Sequence, residues 1–380
     1  MKKKSLLMIT WRDIKSPFAG GAEVLTHNIL SRLTEKFEVT VLSSAFPKCL
    51  LKEDIDNIHY VRLGNKKLNY IGTYNWRIYF SVWKYYRNFI KNNKQFDVTI
   101  EQINNVPFFY SLYGNKKTII LIWQLCKRNW FYQVPFYLAW FGFLLFEPIS
   151  LLLLKNKKII TISESTKNNL KKYGFKPKNI SIIPVGIDIN PVASISKVVK
   201  YTNPTILSLG NIRAMKRTID QVKAFEIAKK NIPALKMKIA GNGNGNYFNK
   251  FNQLINSSQY KKDIEYLGKV SLSRKAELLK KSHLILSTSS VEGWGLIITE
   301  ANSQGTPAVV YNVDGLRDST ISGVTGLVTQ HNTPEEMAQS ISQILSNKKR
   351  YKEYQRKAWE YSKKMNYHNS YEAFLRLISE

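Results

Sequence analysis

The chain has 380 residues, 44% of them hydrophobic, which is enough for two ordinary domains with buried cores. Lysine and arginine number 57 against 27 acids, a net charge of +30 that calls for an anionic partner: nucleic acid, an acidic membrane face or acidic small molecules. No RNA-recognition signature or zinc spacing accompanies the charge, and the two cysteines, Cys49 and Cys126, are far apart, so nucleic acid and a disulfide framework are set aside and a reducing compartment is expected.

The lysine clusters "MKKK", "GNKK", "KNKK", "KPK" and "NKKR" scatter along the whole chain. The apolar stretch after "MKKK" is too short for a secretory signal, and a charged pair follows at once. "SLLMIT" therefore reads as a first strand and a cytoplasmic setting is expected. In "GAEVLTHNILSRLTEKF", Val24, Leu25, Ile29, Leu30 and Leu33 form one stripe, so a helix follows. "EVTVLSS", "HYVRL", "DVTIEQ", "TIILIW" and "KIITIS" read as further strands with helices between several of them, an alternation that predicts a parallel sheet covered on both faces. "DID" at Asp54 to Asp56 imitates a metal-binding acid pair but precedes the strand "NIHYVRLG" and reads as a solvated turn. The five histidines, His27, His59, His283, His331 and His368, show no ligand spacing.

Two segments bear on membranes. "WRIYFSVWKYYRNF", residues 76–89, interleaves rings with cations, which suits either an interface or a helix with a buried aromatic stripe. "VPFYLAWFGFLLFEPISLLLL", residues 134–154, approaches the roughly 20 apolar residues of a spanning helix. Glu147 and Pro148 interrupt it, and both are costly in a bilayer core. A helix packed inside the domain is favoured over a surface that dips into the membrane.

"INPVASISKVVKYTNP", residues 189–204, is irregular and reads as a linker. The alternation then restarts with the strand "TILSLG", the helix "KRTIDQVKAFEIAKKN" and the strands "LKMKIAG", "IEYLG", "LILST" and "PAVVYN"; from Pro334 the chain reads as wholly helical. The expected fold is α/β: two doubly wound Rossmann-like domains, 1–190 and 204–364, facing a cleft, with a C-terminal helix over 365–380 packing back on the first. Ligands in such sheets bind at the carboxyl ends of the strands.

"SSVEGWGLIITEAN", residues 289–302, follows the strand "LILST" and places Glu292 and Glu300 eight positions apart around Gly293, Trp294 and Gly295. The glycines let backbone approach a ligand, and the helix beginning near Leu296 turns its positive end toward it. Acids flanking such a cradle suit the hydroxyls of a nucleotide sugar. Taken alone, the two acids read as a helix cap and a solvated helical position.

The whole string "SVEGWGLIITEANSQGTPAVVYNVDGLRDSTISGVTGLV" resembles the donor-site signature of retaining glycosyltransferases with the GT-B fold, glycosyltransferase family 4. Glu292 and Glu300 stand at the family's E-x7-E motif, and Ala301, Gly305, Pro307 and Gly315 match the frame that follows. "GGAEVLTHNILSRL" resembles the family's glycine loop, with Gly20 and Gly21 leading into the first helix. "LGNIRAMKRTIDQVKAF" resembles its G-R-x4-K-G stretch, with Lys216 at the family lysine. This stretch departs from the pattern: Asn211 stands at the usual arginine, Arg213 lies two positions on, and Arg217 replaces the usual glycine. Trp123 stands where many relatives have histidine, and "EQINNVPFFYSLY" places Asn104, Asn105 and Pro107 near the cleft.

The resemblance implies transfer of a hexose from a nucleoside-diphosphate sugar, with retention at the anomeric carbon and no metal or other cofactor. It makes Glu292 and Lys216 the catalytic candidates. Gly20, Gly21, Arg213, Arg217, Gly293, Trp294, Gly295, Leu296 and Glu300 are the donor-binding candidates, with Trp123, Asn211 and Asn104 also near the site. Lys216 and a neighbouring arginine would neutralise the leaving diphosphate. A glycan or lipid-linked acceptor at the inner, anionic face of a membrane would give the +30 charge a use. The rival readings are a degenerate GT-B protein that only binds, for which Trp123 and Asn211 speak, and a nucleotide-sugar epimerase.

Overall fold

The computed structural model describes residues 3–64, 77–91, 95–114 and 117–379; Trp76 of the aromatic segment and Lys2, Lys66, Lys67 and Lys116 of the lysine clusters lie outside them. The chain divides into two compact units, Met1–Gly186 with Asn366–Glu380, and Ile187–Met365.

The first unit holds β1 (Lys4–Ile9), β2 (Phe37–Ser44), β3 (Lys52–Ile55), β4 (Ile58–Leu63), β5 (Val98–Ile103), β6 (Thr118–Ile122), β7 (Ile159–Thr161) and β8 (Ile180–Ile182). They form one sheet in the order β3-β4-β2-β1-β5-β6-β7-β8, parallel except for β3 on β4. Leu6, Leu7, Met8 and Ile9 are all buried, the unbroken apolar run expected of a central parallel strand covered on both faces. The chain leaves β1 toward β2 on one side and reaches β5 on the other, so the sheet's switch point lies at the carboxyl end of β1.

The edge hairpin refines the reading of the "DID" segment. Asp54 lies on β3 and pairs with His59, while Asp56 and Asn57, both at positive φ (50° and 62°), make the two-residue turn. Beneath it lies a buried ion pair. Arg62 Nε donates to Asp13 Oδ2 at 2.7 Å, both side chains are fully buried, and Ser43 Oγ donates to the same oxygen. The remaining guanidinium reaches Leu50 O and Glu53.

The helix Arg77–Lys91 buries Ile78 and Val82 but leaves Phe80 and Trp83 exposed and stacked on each other. The segment expected inside the domain is not inside. Phe136–Leu154 is one continuous 19-residue helix with a π-turn at Gly142–Phe146, and only about a third of it is buried. Its inner face, with Ala139, Gly142, Leu151 and Leu154, supplies enough contact to anchor it, so the rest of the apolar run is left outside. The C-terminal helix Tyr367–Ser379 belongs to this unit, with the Arg32 guanidinium over the Tyr367 ring.

The second unit holds β9 (Thr205–Leu209), β10 (Lys236–Ala240), β11 (Ile264–Tyr266), β12 (Leu284–Ser287), β13 (Ala308–Val310) and β14 (Gly326–Val328), ordered β11-β10-β9-β12-β13-β14 and wholly parallel. Its switch point falls between β9 and β12, where the loops after both strands lead into helices Thr218–Asn231 and Leu296–Ser303.

Candidate functional site

The two switch-point loops of the second unit are tied together by one backbone bond and one bridging hydroxyl. Ser290 N donates to Met215 O, and Thr288 Oγ1 donates to the carbonyls of Lys216 and Arg217. That lacing fixes where the side chains of both loops project. Lys216 Nζ lies 2.5 Å from Glu292 Oε2, and Ser289 Oγ donates to the same oxygen at 3.1 Å. The two groups read as catalytic candidates thus form one ion pair. Glu292 is not a helix cap, because the helix begins after Gly295, at φ 88°, and no side chain caps it. The Leu296 and Ile297 N–H groups therefore remain available to an anion, while that of Ile298 donates to Gly295 O at 2.9 Å.

Gly315 holds the loop from the other side. A Cβ there would stand 2.3 Å from Glu292 O and 2.6 Å from Gly293 C, so only glycine lets the strand β13 loop close on the Glu292–Gly293 backbone. Trp294 is turned inward, with Nε1 donating to Thr299 Oγ1 at 2.8 Å, so its ring packs in the unit and its backbone alone borders the cradle.

Glu300 is not a solvated helical position. It is 3% exposed, and Lys275 Nζ lies 2.6 Å from its Oε1. Burial pushes its carboxyl above the ordinary value, the Lys275 ammonium opposes that, and the Asp188 charge adds to it. Oε2 is buried without a hydrogen-bond partner among the described residues. Glu101 Oε1 in the first unit is buried and unpartnered too, so what distinguishes Glu300 is its place on the helix that follows the glycine loop, where a ligand hydroxyl would meet it.

Arg217 explains the family glycine that it replaces. It sits at φ 49°, ψ 40°, left-handed geometry that costs a non-glycine residue roughly 1–2 kcal/mol. Arg217→Gly is expected to raise stability by about 0.5–1 kcal/mol, the strain relieved less the entropy glycine adds to the unfolded chain. Calorimetry would show a rise in Tm of about 1–3 °C; a fall would mean that the guanidinium contributes more than its backbone strain. Arg213 and Asn211 are exposed in the same loop, and Lys216 is half-buried.

In the first unit the candidates also gather at strand ends. Trp123, 5% exposed, donates from Nε1 to Thr26 Oγ1 at 3.3 Å; Thr26 donates to Gln102 Oε1, and Gln102 Nε2 donates to Asn104 Oδ1. One chain of hydrogen bonds thus joins Trp123 to Asn104. Gly20 and Gly21 open the helix that carries Thr26, and the Gly20 N–H is held by Glu23 Oε2 at 2.7 Å. Asn104, Asn105 and Pro107 border a small cavity of about 20 Å³ that also touches Glu147.

Sequence reasoning missed Lys275, Ser289, Thr26 and Gln102. For Gln102 a signal existed: Glu101 and Gln102 are polar in a strand buried along its whole length. Lys275 carries none, since "SRKAELLKK" reads as an ordinary charged helix. The described residues contain no cluster of three or more metal-ligating side chains.

Comparison with known proteins agrees with this geometry. Residues 194–365 match the model of glycosyl transferases group 1, and residues 19–191 that of Glycosyltransferase Family 4. The chain belongs to the glycosyltransferases of the GT-B fold. The poly(glycerol-phosphate) alpha-glucosyltransferase of Bacillus subtilis is 29% identical over 157 residues, 41% of this chain and 23% of that protein. The chain spans between 23% and 53% of the length of the first curated relatives it matches. Among solved structures, WaaG, a glycosyltransferase involved in lipopolysaccharide biosynthesis, has a TM-score of 0.74 at 15% identity, covering 98% of this chain and 99% of that one. Anabaena HepE in complex with UDP-glucose has a TM-score of 0.72 at 14% identity, covering 99% of each chain. Likeness at that identity concerns the fold.

Proposed function

We propose that this chain transfers a hexose from a nucleoside-diphosphate sugar to a lipid-linked or glycan acceptor at the inner face of a membrane, with retention of anomeric configuration. The observation that carries the reading is the open, buried Oε2 of Glu300 on a helix whose uncapped start adjoins the Lys216–Glu292 pair. In this reading Glu300 accepts from the ribose hydroxyls. Glu292 accepts from sugar hydroxyls, and Lys216 exchanges its carboxylate partner for the donor diphosphate. Arg213, Arg217 and the helix N–H groups complete the anion site. The diphosphate is neutralised by these groups without a metal, and chelation with EDTA is expected to leave turnover unchanged. HepE was solved with UDP-glucose, which makes UDP-sugars the first donors to try.

The test is a panel of UDP-, GDP- and other nucleoside-diphosphate sugars, read by thermal shift and nucleotide release on wild type and Glu300→Ala. One donor is expected to raise Tm by several degrees at about 100-fold over its Kd. Glu300→Ala is expected to weaken that donor by about 10–100-fold, the worth of one or two charge-assisted hydrogen bonds. Turnover without acceptor would favour an epimerase. Binding by no donor would favour a protein that has lost catalysis, with the buried Trp123 at the family's histidine position as its marker.

A further inference from the structure

The helix Phe136–Leu154 presents ten large apolar side chains, from Phe136 to Leu153, each 42–72% exposed. In an unbroken α-helix, residues seven apart share a face, so Glu147 would stand on the same side as the exposed Trp140. The π-turn at Gly142–Phe146 prevents this. Each of its residues advances the chain by less than an α-helical step, which swings the second half back by about a quarter turn. Glu147 then points inward and Leu145, Ile149 and Leu153 continue the outer face begun by Phe136, Tyr137 and Phe141.

The inner face is locked. Glu147 accepts from Cys126 N at 2.7 Å, Lys127 N at 2.9 Å and Trp130 Nε1 at 3.1 Å. Gly142 lies against the Trp130 ring so closely that a Cβ would meet it at 2.5 Å. Leaving the unit to span a bilayer would break these three hydrogen bonds and carry the Glu147 carboxylate into the acyl region.

Charge says what covers the outer face. Between residues 127 and 158 the only acid is the buried Glu147, while Lys127 and Arg128 precede the helix and Lys155, Lys157 and Lys158 follow it. Lys157 and Lys158 also line a cavity of about 460 Å³ with Lys4 and Lys117, in which the one acid among the described residues, Asp97, is held by Ser5. An apolar strip with aromatic rings at one end and cations at both suits the headgroup–acyl boundary of an anionic leaflet.

We propose that Phe136–Leu154 is a monotopic anchor, lying in the plane of an anionic bilayer with its outer face among the acyl chains and the flanking lysines on the lipid phosphates. The proposal deepens the functional reading and rests on it only in making that membrane the place of the acceptor. The test is flotation of the full chain with vesicles of about 30 mol% phosphatidylglycerol in phosphatidylcholine, at about 0.15 M and about 0.5 M salt. Wild type is expected to float at both. The charge-neutral double variant Leu145→Ser/Leu153→Ser is expected to lose at least about tenfold in partitioning, most visibly at high salt, where insertion remains and general attraction of a +30 chain is screened. Both positions are exposed, so the variant's Tm and its donor-dependent thermal shift are expected to match wild type. Equal flotation of variant and wild type, or no flotation of either, would overturn the anchor. So would a wild-type dimer, seen by light scattering, that the variant dissolves without any change in flotation, because a second copy would then own the face. Loss of donor binding in wild type would sink the functional reading and leave the anchor standing.

Discussion

Lys216→Met is expected to lower kcat by about 10²–10³-fold with the identified donor, while Tm moves by no more than a few degrees. The expected size is that of removing one preorganised charge aimed at a developing anion, about 3–4 kcal/mol of transition-state stabilisation. The bond to the leaving diphosphate breaks with negative charge building on its oxygens. In the proposed reading Lys216 is the cation fixed closest to that charge, held by a loop whose backbone is laced to the one carrying Glu292. The stability effect stays small because the pair is not deeply buried. The side chains are 26% and 23% exposed, and Ser289 still donates to Glu292 when the lysine is gone. Steady-state rates with kcat and KM resolved decide the matter. A raised KM with kcat unchanged would make Lys216 a ground-state contact only. Lys216→Arg is expected to recover part of the rate, since charge returns but the compact ammonium geometry does not.

The largest effect on stability is expected at Arg62. Arg62→Met strands the Asp13 carboxylate in a site with no solvent, its charge unpaired and held only by the neutral donors Ser43 Oγ and Lys15 N, and is expected to cost the first unit about 3–5 kcal/mol. Because the chain divides into two compact units, each is expected to have its own transition, and no single unfolding free energy serves for the whole. The readout is the first unit's transition in urea, which is expected to shift to lower denaturant while the transition of Ile187–Met365 stays in place. Asp13→Leu/Arg62→Met is expected to regain most of the loss, since two apolar side chains need no partners. A single-variant cost below about 1 kcal/mol would mean that water or a neighbouring side chain rescues Asp13.

Much of the fold was legible because parallel strands buried on both faces leave an unmistakable mark. "SLLMIT", "TIILIW" and "LILST" are apolar without alternation, and each is an interior strand with neighbours on both sides. Of the short edge strands, β11 was legible as "IEYLG" but β8 and β14 were not. β8 and β14 are three residues each and carry no pattern that distinguishes them from loop. The site was legible where its backbone needs glycine, at Gly295 and Gly315, because close approach and left-handed geometry restrict the residue type. Its partners were not, because Lys275 or Ser289 becomes a partner only when elements distant in sequence meet.

By itself, then, the sequence determined the class: two β-α series, their strand cores, and the Glu292–Glu300 string at a strand's carboxyl end. These follow from local periodicity and steric rules, which act within a few residues. The tertiary structure alone decided three things. It paired Lys216 with Glu292. It buried Glu300 with one oxygen satisfied and one open. It turned the helix Phe136–Leu154 so that its acid faces inward and its apolar strip faces outward. Each depends on which surfaces meet once the layers pack, and composition does not encode that. The same nineteen residues would read alike in a core or on a surface; a π-turn and three hydrogen bonds to one carboxylate set their orientation.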